Sequence, residues 1–292
     1  GYHLDNSDFL IMFRSDSSSG LYRTKKDLEK HNDYSITGQS ITTHDTHYYP
    51  VMEAKLIHQY DHRFSTYEGA SEEEINNGQP SVVTSAGKQT QALAQPRYWV
   101  AEKEIQTIYN MRNYHFRWTI GYRDITNATN ERTSIASVLP YCGASQPLNL
   151  FLAESPRHAV SWLAAMNSLI VDYIARQFTG GIHLNITSCR QLPIILLSER
   201  SSDYSFVASR VLELVYTAYD LQSYAEDMGY NGEPFPWDED RRALLRAELD
   251  AYYARLYGLT RDELRYILDP QDVYGPDFPG ETFRVLKEKE MR

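Results

Sequence analysis

The sequence predicts an α+β protein: a mixed-sheet unit around a core helix near 157–177, followed by a helical C-terminal segment. Three observations predict it. Trp162, Met166, Leu169 and Tyr173 recur at helical spacing with Leu163, Ile170 and Ile174 beside them, a stripe too wide for a surface helix. Short stretches such as RWTIGYRDI (117–125) alternate between turn-forming residues, as strands do. Beyond residue 200 the pattern becomes capped, amphipathic helices.

Taken in order, FLIMF (9–13) is strand-like and the serine run ending at Gly20 is a loop. LYRTKKDLEKHN (21–32) reads as helical, with Lys25, Lys26 and Lys30 on a solvated side. ITTHDTHYYPV (41–51) reads as a strand or hairpin edge. Residues 70–95 are polar and rich in Gln, Gly and Pro, which suggests a flexible insertion. YWV (98–100) then leads into a short helix, and TSIASVLP (133–140) is an apolar strand ended by proline. Ser155 and Pro156 open the core helix, because serine accepts from free first-turn N–H groups and proline suits the first position. Gly180 and Gly181 close it, and LPIILL (192–197) reads as a buried strand.

Residues 206–226 form an amphipathic helix closed by Gly229. Asp238 caps the next helix, whose stripe is Leu245, Leu249, Tyr252 and Leu256, with Gly258 ending it. Thr260 and Glu263 form a capping box for a third helix, stopped at Asp269-Pro270, and ETFRVLKEKEMR (281–292) ends in a charged helix. The domain boundary is placed at 205/206, with an acidic helical segment, 206–292, packed on the first unit.

Composition limits the function classes. Two cysteines among 292 residues fit reduced thiols in a cytoplasmic protein better than a disulfide framework. No apolar run is long enough to span a bilayer, so no membrane partner is expected. The formal charge is −10. It is uneven: residues 211–292 hold 10 Lys+Arg against 18 Asp+Glu, whereas residues 97–200 hold 10 against 7. A mildly basic middle permits DNA contact, although a stand-alone DNA binder is usually more basic.

Two stretches carry candidate chemistry. In MEAKLIHQYDHRFSTYEG (52–69), His58 and His62 would share one face of a helix, the geometry of a metal pair, but no third ligand follows at fixed spacing. His58, Gln59, His62 and Arg63 are also suitable types for base and phosphate contacts. In residues 117–132, Arg117, Arg123, Asn127, Asn130 and Arg132 cluster around a polar turn; arginine and asparagine pair bidentately with guanine and adenine edges. The competing reading joins Arg123, Asp124, Glu131 and Arg132 in an internal ion-pair network. A second competitor is a metal-dependent nuclease built from Asp45, Glu53 and Lys55. The helices near 239–268 could form a DNA-reading helix-turn-helix, but their negative surroundings favour a structural hairpin.

Three ordered strings carry a resemblance: MEAKLIHQYDHRF, then RDI…TNERT…VLP, then MNSLIVDYIARQ…HLN…QLPI. Together with WDEDRRALLRAELDA…LYGLTRDELRYILD, they resemble the C-terminal target-recognition region of adenine-specific DNA methyltransferases of type IIG-like restriction-modification or phage-defence systems, with a TaqI-like specificity domain. The resemblance implies a double-stranded DNA recognition module. S-adenosylmethionine, and magnesium if the parent also cleaves, would belong to an upstream methyltransferase domain of the same parent chain. The sequence holds no G-x-G, no Pro-Pro pair, no P-loop string and no G-x-S-x-G, so no catalytic residue, metal ligand or cofactor is assigned to this chain. The remaining alternatives are the nuclease and a Tyr-rich protein-interaction scaffold in a defence complex.

Overall fold

A computed structural model describes residues 4–14, 19–44, 46–127, 130–178, 183–275 and 283. The N-terminal part comprises β1 (Phe9–Leu10), a single-turn α1 (Lys25–Leu28), β2 (Ser35–Thr37), β3 (Ser40–Thr43) and β4 (Thr46–Met52). Residues 65–89 then form β5 (Ser65–Thr66), α2 (Glu72–Asn77), β6 (Ser81–Val82) and α3 (Ser85–Gln89). The expected flexible insertion is therefore organised: Ser71 and Thr84 cap its helices, and β6 pairs with β5. β7 (Trp99–Ala101) runs directly into α4 (Glu102–Met111). β8 (Trp118–Arg123), β9 (Ala136–Pro140), β10 (Gly143–Ala144) and β11 (Leu148–Phe151) complete the strands.

The rest is helical: α5 (Pro156–Asn167), α6 (Leu169–Phe178), α7 (Ile186–Cys189), α8 (Ser202–Val215), α9 (Gln222–Asp227), α10 (Glu239–Leu256), α11 (Arg261–Leu268) and α12 (Pro270–Tyr274). The α+β class holds, and one of the sheets is mixed. One antiparallel sheet has the order β1-β11-β8-β9. In the other, β4 is central, pairing antiparallel with β3 and β7 and parallel with β10.

The layers follow from which way the strand residues point. From β8, β9 and β11, Trp118, Ile120, Tyr122, Val138 and Phe151 join α5 and α8 in one apolar cluster. Leu139, Leu148 and Leu150 point the other way, into a second cluster with Val51, Met52, Val100 and Ile105. The antiparallel sheet is thus a middle layer, apolar on both faces, between the helices and the second sheet. Gly121 fits that position: a Cβ there would lie 2.7 Å from Leu139 and 3.0 Å from Leu148, which close neighbouring packing cannot accept. The boundary placed at 205/206 falls within α8, whose Val207 and Val211 belong to the same cluster as Trp118 and Trp162.

The core helix is two helices. Asn167 ends α5 and Ser168 is extended (φ −74°, ψ 149°) before α6 begins. The break is stabilised by polar contacts to the chain entering β9, an edge strand. The Asn167 amide accepts from Ala136 N–H and donates to Ala136 C=O, both at 3.0 Å, as a neighbouring strand would. One turn later Asp172, fully buried, accepts from Thr133 N–H at 2.7 Å, Ser134 N–H at 2.5 Å and Arg176 Nε at 2.9 Å.

Other expectations need correction. LPIILL joins no sheet: Leu192, Ile194 and Leu197 are buried, but Leu197 N–H donates to the Ser161 hydroxyl instead of a ladder. The helix expected over 206–226 breaks after Val215, where Phe235 N–H takes up the Tyr216 carbonyl. The caps at Ser155, Asp238 and Thr260 form as expected. α11 lays Ile267 against Leu169, Ile170 and Ala254, as a packed helical hairpin does. Gly180, Gly181 and, apart from Phe283, the final charged helix lie outside the described residues.

Asn167→Ala leaves the Ala136 N–H buried without an acceptor. It is expected to lower the unfolding free energy by about 2 kcal/mol, read from urea melts. Gln177→Ala, on the exposed end of α6, should change it by less than about 0.5 kcal/mol.

Candidate functional site

The first candidate stretch is not helical. After β4 a single 3-10 turn, Ala54–Leu56, gives way to a tight reversal. His58 N–H donates to Asp61 C=O at 2.7 Å, Asp61 N–H returns to His58 C=O at 3.0 Å, and Tyr60 takes a left-handed φ of 58° between them. His58 and His62 therefore share no helical face. The His58 ring lies on Phe64, whereas His62 Nε2 is 2.8 Å from Asp220 Oδ2.

Three expected DNA contacts in this stretch are instead internal. Gln59 donates to Ser134 C=O at 2.8 Å and Asn167 C=O at 3.2 Å. His62 is buried with its partner. Arg63 is 0% exposed and donates to Ala92 C=O at 2.8 Å, Thr217 C=O at 3.1 Å and the Thr217 hydroxyl at 2.9 Å. Burying a guanidinium requires such pairing; only Nε lacks a partner, and it too is buried, out of reach of phosphate.

Around Arg63 lies a buried charged cluster. Lys88 Nζ is 2.5 Å from Asp61, and Arg242 donates to Leu214 C=O at 2.6 Å. The Trp237 ring faces both, with Lys88 Nζ at 4.1 Å and the Arg242 guanidinium carbon at 3.7 Å from its centroid. Burial acts to raise the Asp61 carboxyl, but Lys88, then Arg242 and His62, overcome it and hold the group below its ordinary range. Burial draws Arg242 down to about 10, which leaves it charged at neutral pH.

The nuclease residues are also engaged elsewhere. Both Glu53 oxygens accept from Arg97, at 2.6 and 3.1 Å, and the Lys55 ammonium donates to Gly78 C=O. Asp45 lies outside the described residues.

In the second stretch, Arg117 is exposed, pairing with Glu102 at 3.3 Å and lying 3.8 Å from the Tyr141 ring centroid. Arg123, half-buried, donates through Nε to Ile57 C=O at 3.1 Å. Burial pulls it down to about 10, still charged at neutral pH, and among the described residues no carboxylate pairs with it. Arg132, expected on DNA, is buried and pairs with Asp250 of α10 at 3.1 Å, while its Nη1 has no partner. Asp124 faces His183 at 3.3 Å rather than Arg132. Asn127 and Asn130 are exposed at the turn, where Asn130 N–H donates to Asn127 C=O.

These stretches meet at one cleft of about 320 Å³. His58, Gln59, Glu131 and Arg132 line one wall, and Arg246 and Asp250 of α10 the other. Burial, then the nearby Arg123 guanidinium, hold the His58 imidazole down to about 4, so it is neutral at physiological pH. Arg246 and Asp250 carry no motif; only packing of α10 against α6 and the 131–132 chain brings them here. Comparison with family models, curated proteins and solved structures gives no match. No chemical step through S-adenosylmethionine is assigned to this chain.

Asp61→Asn leaves Lys88 charged and unpaired, and should destabilise the fold by about 3 kcal/mol, measured by urea denaturation at pH 7. His58 and His158 both sit near 4 in the folded chain, chiefly through burial. The unfolded chain therefore takes up protons first, at about 6.5, and stability should fall as pH drops from about 6.5 toward about 4. His58→Gln should flatten part of that slope, as read from urea midpoints across the range.

Proposed function

We propose that this chain reads double-stranded DNA for an adenine-specific methyltransferase of a restriction-modification or phage-defence system. Methyl transfer, with its S-adenosylmethionine, is placed in another domain of the parent. One observation carries the reading: the two sequence-selected stretches, far apart in the chain, converge on one edge. Arg123 reaches back to Ile57 and Gln59 to Ser134, and Arg123 and Arg246 stand there without a carboxylate partner among the described residues. Beside them Asn127 and Asn130 are exposed on the turn. Cations without counter-charges attract phosphate, and exposed amides can read base edges. The contact set proposed is thus Arg123, Asn127, Asn130 and Arg246, with His58 behind them; Arg117, paired with Glu102 at the opposite end of β8, stands apart from it.

The overall charge of −10 limits non-specific affinity, so orientation by the parent is part of the reading. Cytoplasmic placement is supported by Cys142 and Cys189, both free and buried. Among the described residues no helix is long and apolar enough to cross a membrane.

The test is fluorescence anisotropy of the chain with a mixed-sequence duplex across a salt series. Arg246→Glu should weaken binding several-fold and reduce the salt slope by about one. Lys103→Glu, exposed on α4, should leave both unchanged. Binding without salt dependence, or equal loss in both variants, would overturn the proposal.

A further inference from the structure

We propose that His31, Asp33 and His44 form a surface site for a divalent transition metal, with zinc the best-suited ion. The site is separate from the DNA-facing edge and does not depend on that reading.

The backbone brings the three together. After α1, the chain reverses through turns in which His31 N–H donates to Leu28 C=O and Tyr34 N–H to His31 C=O, both at 3.2 Å. This sets His31 and Asp33 against the tip of the β3–β4 hairpin, where His44 sits. Asp33 accepts the His44 backbone N–H, and its carboxylate lies 3.0 Å from His44 Nδ1. The two imidazole rings meet edge to face, with centroids 5.5 Å apart. One ligand atom from each residue lies within 4.8 Å of the other two, and all three side chains are exposed.

The chemistry follows from the donor set. Two neutral imidazoles and one carboxylate suit zinc, and cobalt or nickel in its place; calcium and magnesium prefer all-oxygen shells. With metal–ligand bonds of about 2.0–2.1 Å, tetrahedral ligand atoms sit roughly 3.3 Å apart. Closing from 4.8 Å takes rotamer shifts of about an ångström, which exposed side chains can make. Three protein ligands leave a position for water, so the site is open rather than closed. The hydrogen bond from His44 N–H already fixes the Asp33 carboxylate, as outer contacts orient ligands in established metal sites. An ion there would tie the α1 turn to the hairpin tip.

The experiment is calorimetric titration of the chelator-treated full chain with zinc chloride, repeated with cobalt chloride while recording the visible spectrum. The expected result is one saturable zinc per chain, an intensified cobalt band indicating four-coordination, and a melting temperature that rises with zinc. His31→Ala and His44→Ala should each weaken zinc at least tenfold and abolish the band and the thermal shift. Asp33→Asn keeps an acceptor for the His44 N–H but removes the charge, and should also weaken zinc. His47→Ala removes a neighbouring exposed histidine on β4 and should change nothing. Absence of saturable binding overturns the proposal, as does equal loss in His47→Ala or full retention in His31→Ala or His44→Ala. Circular dichroism of each variant separates metal loss from misfolding.

Discussion

The structure depends on a cationic cluster in its interior. Arg63, Lys88 and Arg242 are almost wholly buried, from three distant parts of the chain, and converge beneath α10 on the face of Trp237. Asp61 and Asp220 supply the counter-charges, and the carbonyls of Ala92, Leu214 and Thr217 accept from the two arginines. Such a cluster need not add net stability over an apolar replacement, but losing one member strands the others. It therefore fixes where the 58–63 turn, α3 and α10 must lie. The cleft between that turn and α10 inherits its shape from this constraint.

A second constraint is the double-sided middle sheet. Because both faces of β8, β9 and β11 are buried, helices and second sheet are held at a fixed separation. The connection after β8 emerges from this rigid layer at Arg123 and carries the exposed Asn127 and Asn130. A polar turn on a stiff support is how binding surfaces are commonly presented, with variation in the turn and constancy beneath it.

Local signals were legible wherever a residue's role is decided within a few positions. Ser155, Asp238 and Thr260 cap their helices because cap partners lie three residues away. The strands of 118–123 and 136–140 and the helix after Ala101 were equally readable. Roles decided across the chain were not. Asn167 breaks the core helix because its amide finds Ala136, and LPIILL stays unpaired because Ser161 takes the Leu197 N–H. The same limit explains the site residues. The character of Arg63 and Arg132 as donors was plain, but Thr217 and Asp250 engage them internally. Arg246 gave no signal because its helical neighbours look like any solvated face.

The Asn167 carboxamide has one further consequence. β9 ends its sheet, and an uncovered rim of that kind is a template for pairing with another molecule. At Ala136 that rim is closed by the carboxamide and by the Tyr60 N–H, which donates to the same carbonyl at 3.0 Å. Damage to this small patch would show itself first as self-association during refolding, with loss of soluble yield preceding any change in how the finished molecule unfolds.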